Sequence, residues 1–388
     1  MKTGRLGLYI HIPFCIKRCG YCDFNSYLYE ERMVHRYIHA LKREIDIHLN
    51  NPPIRDSKIM TIFFGGGTPT VLKVSQLLGI LELCKRYFNL SEDCEITIEA
   101  NPGTITQKVV ESLRKGGVNR LSLGIQSFSN RLLKEIGRIH NTDEIYQSVL
   151  WARKGGFRNI SFDLIFGLPS QTIDKWKDTL LKAIDLKPMH ISTYNLTIEE
   201  GTPFYSELKK GRLNLPPEEV QVEMYESGIE ILKDAEFEHY EISSFASHGW
   251  RCRHNQIYWR NEEYLGIGAG ASSYIDGYRY SNKDNPEDYI KDITGGRLPV
   301  LEGERLKKES LTDKRRMMGE YMMLGLRMID GIDLNRFEEG FGISVLDAYH
   351  SVIHQLIKEG FLLFEDNSLR LTHRGIIFSD QVFQEFFS

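Results

Sequence analysis

The sequence lacks most of what would tie a chain to a membrane, a secretory route or a nucleic acid. It has no apolar run approaching the roughly 20 residues of a membrane span. Residues 1–8 leave no room for a signal peptide, because 9–14 already alternate as an apolar strand leading into the first cysteine. Cysteine is scarce, six in 388 residues, which is too few for a disulfide framework. An excess of either charge is missing too: 49 Lys plus Arg against 53 Asp plus Glu leave a formal net charge of -4, with no overall attraction toward nucleic acid or anionic lipid. Together these absences predict a chain of the reducing cytoplasm, with no transmembrane segment and no nucleic-acid partner. What is present, 41% hydrophobic and 26% charged residues, is ordinary globular composition at a length that suggests two or three domains.

Short apolar strands alternate with amphipathic helical stretches, the pattern of parallel strands with crossover helices. The strand candidates are 8–14, 58–64, 94–100, 120–127, 159–167 and 190–197, with a further one at 239–246. Helical spacing marks 30–49, 75–88, 143–154 and 172–186. Such a series predicts an α/β fold, either a partial (β/α) barrel or an open doubly wound sheet. Strand parity favours the barrel. Glu99 falls with Thr97, Gln126 with Ser122 and Gly124, and Asp163 with Ser161, while Ile96, Leu123 and Phe162 take the opposite, helix-facing side.

After Tyr280 the composition turns charged and glycine-rich, as in a connection between domains. The expected organisation is a core over 1–235, an extension over 236–300 and a smaller C-terminal domain over 301–388. The last reads as helices followed by a hairpin, winged-helix-like. Its candidate recognition helix, 345–358, carries Asp347, His350, His354 and Lys358 rather than a basic stripe, which argues against DNA binding.

Three of the cysteines crowd into Cys15-Ile-Lys-Arg-Cys19-Gly-Tyr-Cys22, directly after the first strand. Structural zinc wants four protein ligands, and no Cys or His follows at the usual spacing, although His11 or a distant residue such as Cys252 could fold back as the fourth. A 4Fe-4S cluster on three thiolates instead leaves one iron open to a small chelating molecule. The second strand runs into Gly65-Gly66-Gly67-Thr68-Pro69-Thr70, where glycines allow close backbone approach to a ligand and Pro69 suits the first turn of a helix.

The C-x3-C-x2-C spacing resembles the radical S-adenosylmethionine (SAM) superfamily, whose domains are partial (β/α) barrels with the cysteine loop after the first strand. The resemblance implies a 4Fe-4S cluster on Cys15, Cys19 and Cys22 whose open iron is chelated by SAM. Tyr9-Ile-His-Ile-Pro-Phe, Phe-Gly-Gly-Gly-Thr-Pro-Thr and Gly124-Ile-Gln-Ser-Phe are more specific. They look like the oxygen-independent coproporphyrinogen III oxidase family, and by that likeness Tyr9, Gly66, Gly67, Thr68, Glu99, Gln126, Arg138 and Asp163 line the SAM site. Glu99 and Asp163 suit ribose hydroxyls or amines, and Arg138 suits a carboxylate.

That family holds a dehydrogenase, which decarboxylates coproporphyrinogen III by SAM-derived radical chemistry, and a branch of haem chaperones. The dehydrogenase extends its cluster motif with a further cysteine where this chain has Phe24, and it carries a long N-terminal extension where only fourteen residues precede Cys15. Arg253-His254-Asn255-Gln256-Ile257-Tyr258-Trp259 resembles the H-N-x-x-Y motif of the chaperones. The resemblance therefore implies a haem carrier that serves acceptor haemoproteins, membrane-associated respiratory enzymes among them. His254 and Tyr258 are its expected haem residues, and both side chains are competent iron ligands. The dehydrogenase is the alternative.

Overall fold

The computed structural model describes residues 4–296, 311–365 and 367–387. Its strands are β1 (Arg5–Ile12), β2 (Phe14–Cys15), β3 (Tyr27–Leu28), β4 (Lys58–Gly66), β5 (Asn89–Ala100), β6 (Arg120–Gln126), β7 (Asn159–Phe166), β8 (His190–Asn195), β9 (Glu238–Glu241), β10 (Ser244–Ala246), β11 (Tyr264–Ile267), β12 (Ser272–Ile275), β13 (Tyr278–Ser281), β14 (Leu362–Glu365) and β15 (Ser368–Leu371). One eleven-stranded sheet takes the order β13-β12-β11-β1-β4-β5-β6-β7-β8-β10-β9. Every neighbour from β11 through β8 is parallel, and the outermost pairs at both ends are antiparallel. The end strands β13 and β9 do not pair with each other, so the barrel is partial.

Alternation builds the two faces. Strand β6 is buried at every position, as expected of a parallel strand covered on both sides. Leu121, Leu123 and Ile125 join the main apolar core beneath the helices, whereas Arg120, Ser122, Gly124 and Gln126 line the interior. Register carries the interior row across the sheet: Glu99 lies opposite Ser122, Gly124 opposite Asp163, and Asp163 opposite Ser192. The helices that cover the outer face start where side-chain caps are available. Asn141 and Glu144 form a capping box for Thr142–Lys154, and Thr172 caps Ile173–Asp185.

The expected strand at 239–246 is not a continuation of the parallel series. It is the hairpin β9–β10, which ends the sheet antiparallel to β8. The seventh parallel strand is β11, which returns to the other side of the sheet and pairs with β1. Four residues are too short to carry a readable period, which is why alternation alone does not find β11.

A second apolar core lies beneath helices Leu311–Gly325, Leu334–Phe341 and His350–Lys358 and the β14–β15 hairpin. The helix expected over 345–358 is interrupted at Tyr349, leaving Val345–Ala348 and His350–Lys358. The expected boundary between 300 and 301 lies outside the described residues. Arg251–Asp330 at 2.6 Å, Arg336–Glu262 at 2.9 Å and an isolated bridge between Glu241 and Met328 tie this C-terminal part to the end of the sheet.

Candidate cofactor site

A cavity of about 530 Å³ opens at the C-terminal ends of the parallel strands, the face on which barrels of this kind assemble sites. The residues expected to hold the cluster, SAM and haem line it: Tyr9, Cys15, Cys19, Cys22, Gly66, Gly67, Thr68, Glu99, Gln126, Arg138, Asp163, His254 and Tyr258.

The cysteine loop forms its outer wall. Cys15 and Leu28 pair across β2 and β3, and Cys15 Sγ lies 3.7 Å from the Thr68 hydroxyl at the end of β4. Thr68 in turn accepts from Asn101 Nδ2 at 2.9 Å. Arg138 reaches in behind helix Asn130–Glu135 to place Nη1 3.6 Å from Cys19 Sγ, while its Nη2 donates to Asn101 Oδ1 and, at 2.7 Å, to the Gly124 carbonyl. The glycine turn after β4 is crowded. Gly66 has φ +113, and a Cβ there would meet the His11 ring at 2.6 Å. A Cβ on Gly67 would meet the Phe14 carbonyl oxygen at 2.7 Å, so neither position admits a side chain. Gln126 ends β6 with φ 66, a left-handed conformation unusual for a residue with a Cβ.

Two half-buried carboxyls, Glu99 and Asp163, line the interior. Burial, reinforced by the Asp163 charge, pushes the Glu99 carboxyl up to about 8, against the pull of the Gly66 N–H and the Arg120 guanidinium. Burial also raises Asp163, opposed by Arg120 and by the hydroxyls of Ser122 and Ser192; Ser122 Oγ donates to Asp163 Oδ2 at 3.0 Å. Among the described residues Arg138 Nε and Gln126 Oε1 are buried without a partner, a cost normally repaid by a ligand or water.

The back wall is helix Arg253–Trp259. Its first N–H groups, those of Arg253 and His254, donate to the Glu95 carboxylate at 3.2 and 3.1 Å, an anion at a helix N-terminus. The His254 ring is only 1% exposed and stacks on Phe63 at 4.9 Å. Its Nδ1 lies 2.7 Å from the Thr61 hydroxyl and its Nε2 2.8 Å from the Tyr258 hydroxyl. Both ring nitrogens are thus engaged by hydroxyl groups. Cys252, the neighbouring thiol, is fully buried beneath this wall, and burial pushes it up to about 12.

Asn101, Arg120 and Ser192 belong to the site and escaped the sequence reading. Asn101 has the parity of Glu99 just past the end of β5, and Arg120 is a cation at the start of a strand otherwise without charge. Both signals were legible. Ser192 becomes visible only through the pairing of β7 with β8.

Residues 9–183 match the model of the radical SAM superfamily, and residues 312–378 match that of the HemN C-terminal domain. Over 379 residues the chain is 39% identical to "Heme chaperone HemW" of Bacillus subtilis (strain 168), covering 97% of this chain and 98% of that protein. To the protein of the same name from Lactococcus lactis subsp. lactis (strain IL1403) it is 38% identical over 378 residues, covering 97% and 96%. The chain belongs to the HemW family of radical SAM proteins. A solved structure of coproporphyrinogen III oxidase (HemN) from Escherichia coli superposes with a TM-score of 0.84 at 23% identity, covering 99% of this chain and 90% of that one, a likeness of fold.

Membership in the HemW family implies a 4Fe-4S cluster and SAM, and the residues present fit both. Among the described residues no three His, Cys, Asp or Glu side chains converge to hold a single metal ion. Three thiols distributed along one loop suit a cubane, in which each thiolate takes a different iron. Of the candidates for a fourth zinc ligand, His11 contacts the Tyr9 hydroxyl and the Asn25 carbonyl, both at 2.9 Å, and Cys252 does not line the cavity. The glycine cradle, the two carboxyls and the orphaned polar atoms of Arg138 and Gln126 suit a small zwitterion with hydroxyls. Among the described residues no helix is long and apolar enough to cross a membrane.

Proposed function

We propose that this chain is a haem carrier, which binds haem and passes it to acceptor haemoproteins, respiratory enzymes among them, from a radical SAM scaffold. The strongest support is the near full-length likeness to proteins named heme chaperones, 39% identity over 97% of the chain. Phe24 adds to it. This side chain is 63% exposed at the position where the porphyrinogen dehydrogenase, by the resemblance above, carries a further cysteine.

In this reading Cys15, Cys19 and Cys22 hold the cluster, which when bound offers an open iron to the SAM amino and carboxylate groups. Tyr9, Gly66, Gly67 and Thr68 shape the entrance to the SAM pocket. Arg138 pairs with the SAM carboxylate and relieves the charge of the Cys19 thiolate. Glu99, Gln126 and Asp163 accept from the ligand's hydroxyls and amine. His254 and Tyr258 close the pocket from behind. Ligation of haem iron by His254 would first have to break its contacts with Thr61 and Tyr258, each worth about 1 kcal/mol net and more if left unpaired.

Titration of haem into the anaerobically reconstituted protein tests the reading. Saturation near one haem per chain, followed by transfer to an apo-haemoprotein, is expected; absence of haem binding would overturn it.

A further inference from the structure

Resting on the haem-carrier reading, we propose that the rim of the cysteine loop, at the mouth of the cavity and away from His254, is where the chain docks the porphyrin. Ile16, Phe24 and Leu28 are 57%, 63% and 63% exposed, and among the described residues no other large apolar side chain is more exposed than Phe24 and Leu28. All three belong to the short loop that carries the cysteines. Leu28 lies opposite Cys15 in the β2–β3 pairing, Ile16 follows Cys15 in the chain, and Phe24 lines the cavity mouth; exposed apolar residues gathered on one loop beside a site mark an interaction surface.

The loop is also held in place, so its apolar tips are displayed rather than loose. Asn25 Nδ2 donates to the carbonyls of Ala269 at 3.2 Å and Asp284 at 3.0 Å, and the Tyr27 hydroxyl donates to Asp284 at 3.2 Å. The Asn25 carbonyl is itself bonded by His11 Nε2. Segments distant in sequence thus fix the β3 side of the loop at Asn25 and Tyr27, while Phe24 and Leu28 are exposed.

Charge decides the occupant. Lys17 and Arg18 are exposed beside these apolar groups and line the cavity mouth with Phe24. Neither joins an ion pair among the described residues. Asp23 lies next to Phe24, and Glu199 also lines the mouth, so the cationic part of the rim is local. An apolar macrocycle with two carboxylates at one edge matches an apolar patch flanked by two cations. A protein partner matches less well, since a stable protein interface covers about 800 Å² on each side, far more than three side chains of one loop offer.

The test uses the full-length, anaerobically reconstituted protein and three variants: K17E/R18E, Phe24→Ser and Leu28→Ser. Haem affinity is read from the Soret band, with iron content and SAM affinity measured on the same samples. Each variant is expected to bind haem about tenfold or more weakly, the scale of a lost charge-assisted or apolar contact, with iron content unchanged. Haem dimethyl ester, which lacks the carboxylates, supplies a second arm. It should bind the wild type weakly and lose nothing further in K17E/R18E, because two changes to one contact are not additive. Wild-type haem affinity in all three variants would overturn the rim assignment while the carrier reading stands. Unchanged haem affinity with lost transfer would also overturn it, marking the rim as a face for the acceptor. No haem binding by the wild type would instead be a failure of the carrier reading itself.

Discussion

His254 Nε2 and the Tyr258 hydroxyl lie 2.8 Å apart, one helical turn from each other, and together they close the back of the cavity. The imidazole is also held by Thr61 at 2.7 Å and stacked against Phe63 and Tyr9. Burial first, and the Arg120 charge second, hold its pKa down to about 3, so the ring is neutral across the physiological range. A neutral ring with both nitrogens engaged is a wall element. His254→Ala is therefore expected to destabilise the fold by about 1–3 kcal/mol, the cost of unpairing buried hydroxyls, and to leave the Soret band of bound haem unchanged. A shifted Soret band in a folded, cluster-containing variant would make His254 an iron ligand after all.

The cysteines divide by position. Cys15, Cys19 and Cys22 line the cavity, whereas Cys84, Cys94 and Cys252 are buried elsewhere. Replacing any of the first three by Ala is expected to abolish the roughly four irons per chain of the reconstituted protein. Cys84→Ala and Cys94→Ala should retain them. Iron and acid-labile sulfide analysis checks both, and full iron content in the triple variant would contradict the cluster assignment.

Glu99 gives the site a pH dependence of known sign. Its carboxyl is raised to about 8 mainly by burial and next by Asp163, so near neutrality it is mostly protonated before a ligand arrives. An ammonium or hydroxyl donor favours the carboxylate, so SAM binding below that value releases a proton. SAM affinity should rise with pH, by at most about tenfold per unit for one proton, and level off above about 8. Glu99→Gln should flatten the profile, which calorimetry in buffers of different ionisation enthalpy can measure. The same slope in the variant would assign the proton to another group.

Much of this arrangement was legible in the sequence. The six parallel strands from β1 to β8 carry clear alternation, so Glu99, Gln126 and Asp163 could be placed on one face before any pairing was known. The cysteine spacing and the glycine turn are local signals that need no tertiary context. The extension was harder to read because its strands are three or four residues long. A hairpin and a returning parallel strand look alike at that length, and only pairing with β8 or β1 separates them. The surroundings of His254 were hidden for a related reason. Thr61, Glu95 and Phe63, which hold it, come from strands about 160 to 190 residues earlier, and nothing local to the motif distinguishes a buried imidazole from an exposed ligand.

The most direct measurement takes one anaerobic, cluster-loaded preparation and offers it, in parallel, haem with an apo-haemoprotein and coproporphyrinogen III with SAM and an electron donor. Stoichiometric haem binding and transfer to the apo-haemoprotein, with coproporphyrinogen III left unconverted, is the expected result. Conversion of coproporphyrinogen III to protoporphyrinogen, with methionine and 5'-deoxyadenosine released in step, would contradict the carrier reading and make the chain a decarboxylating dehydrogenase.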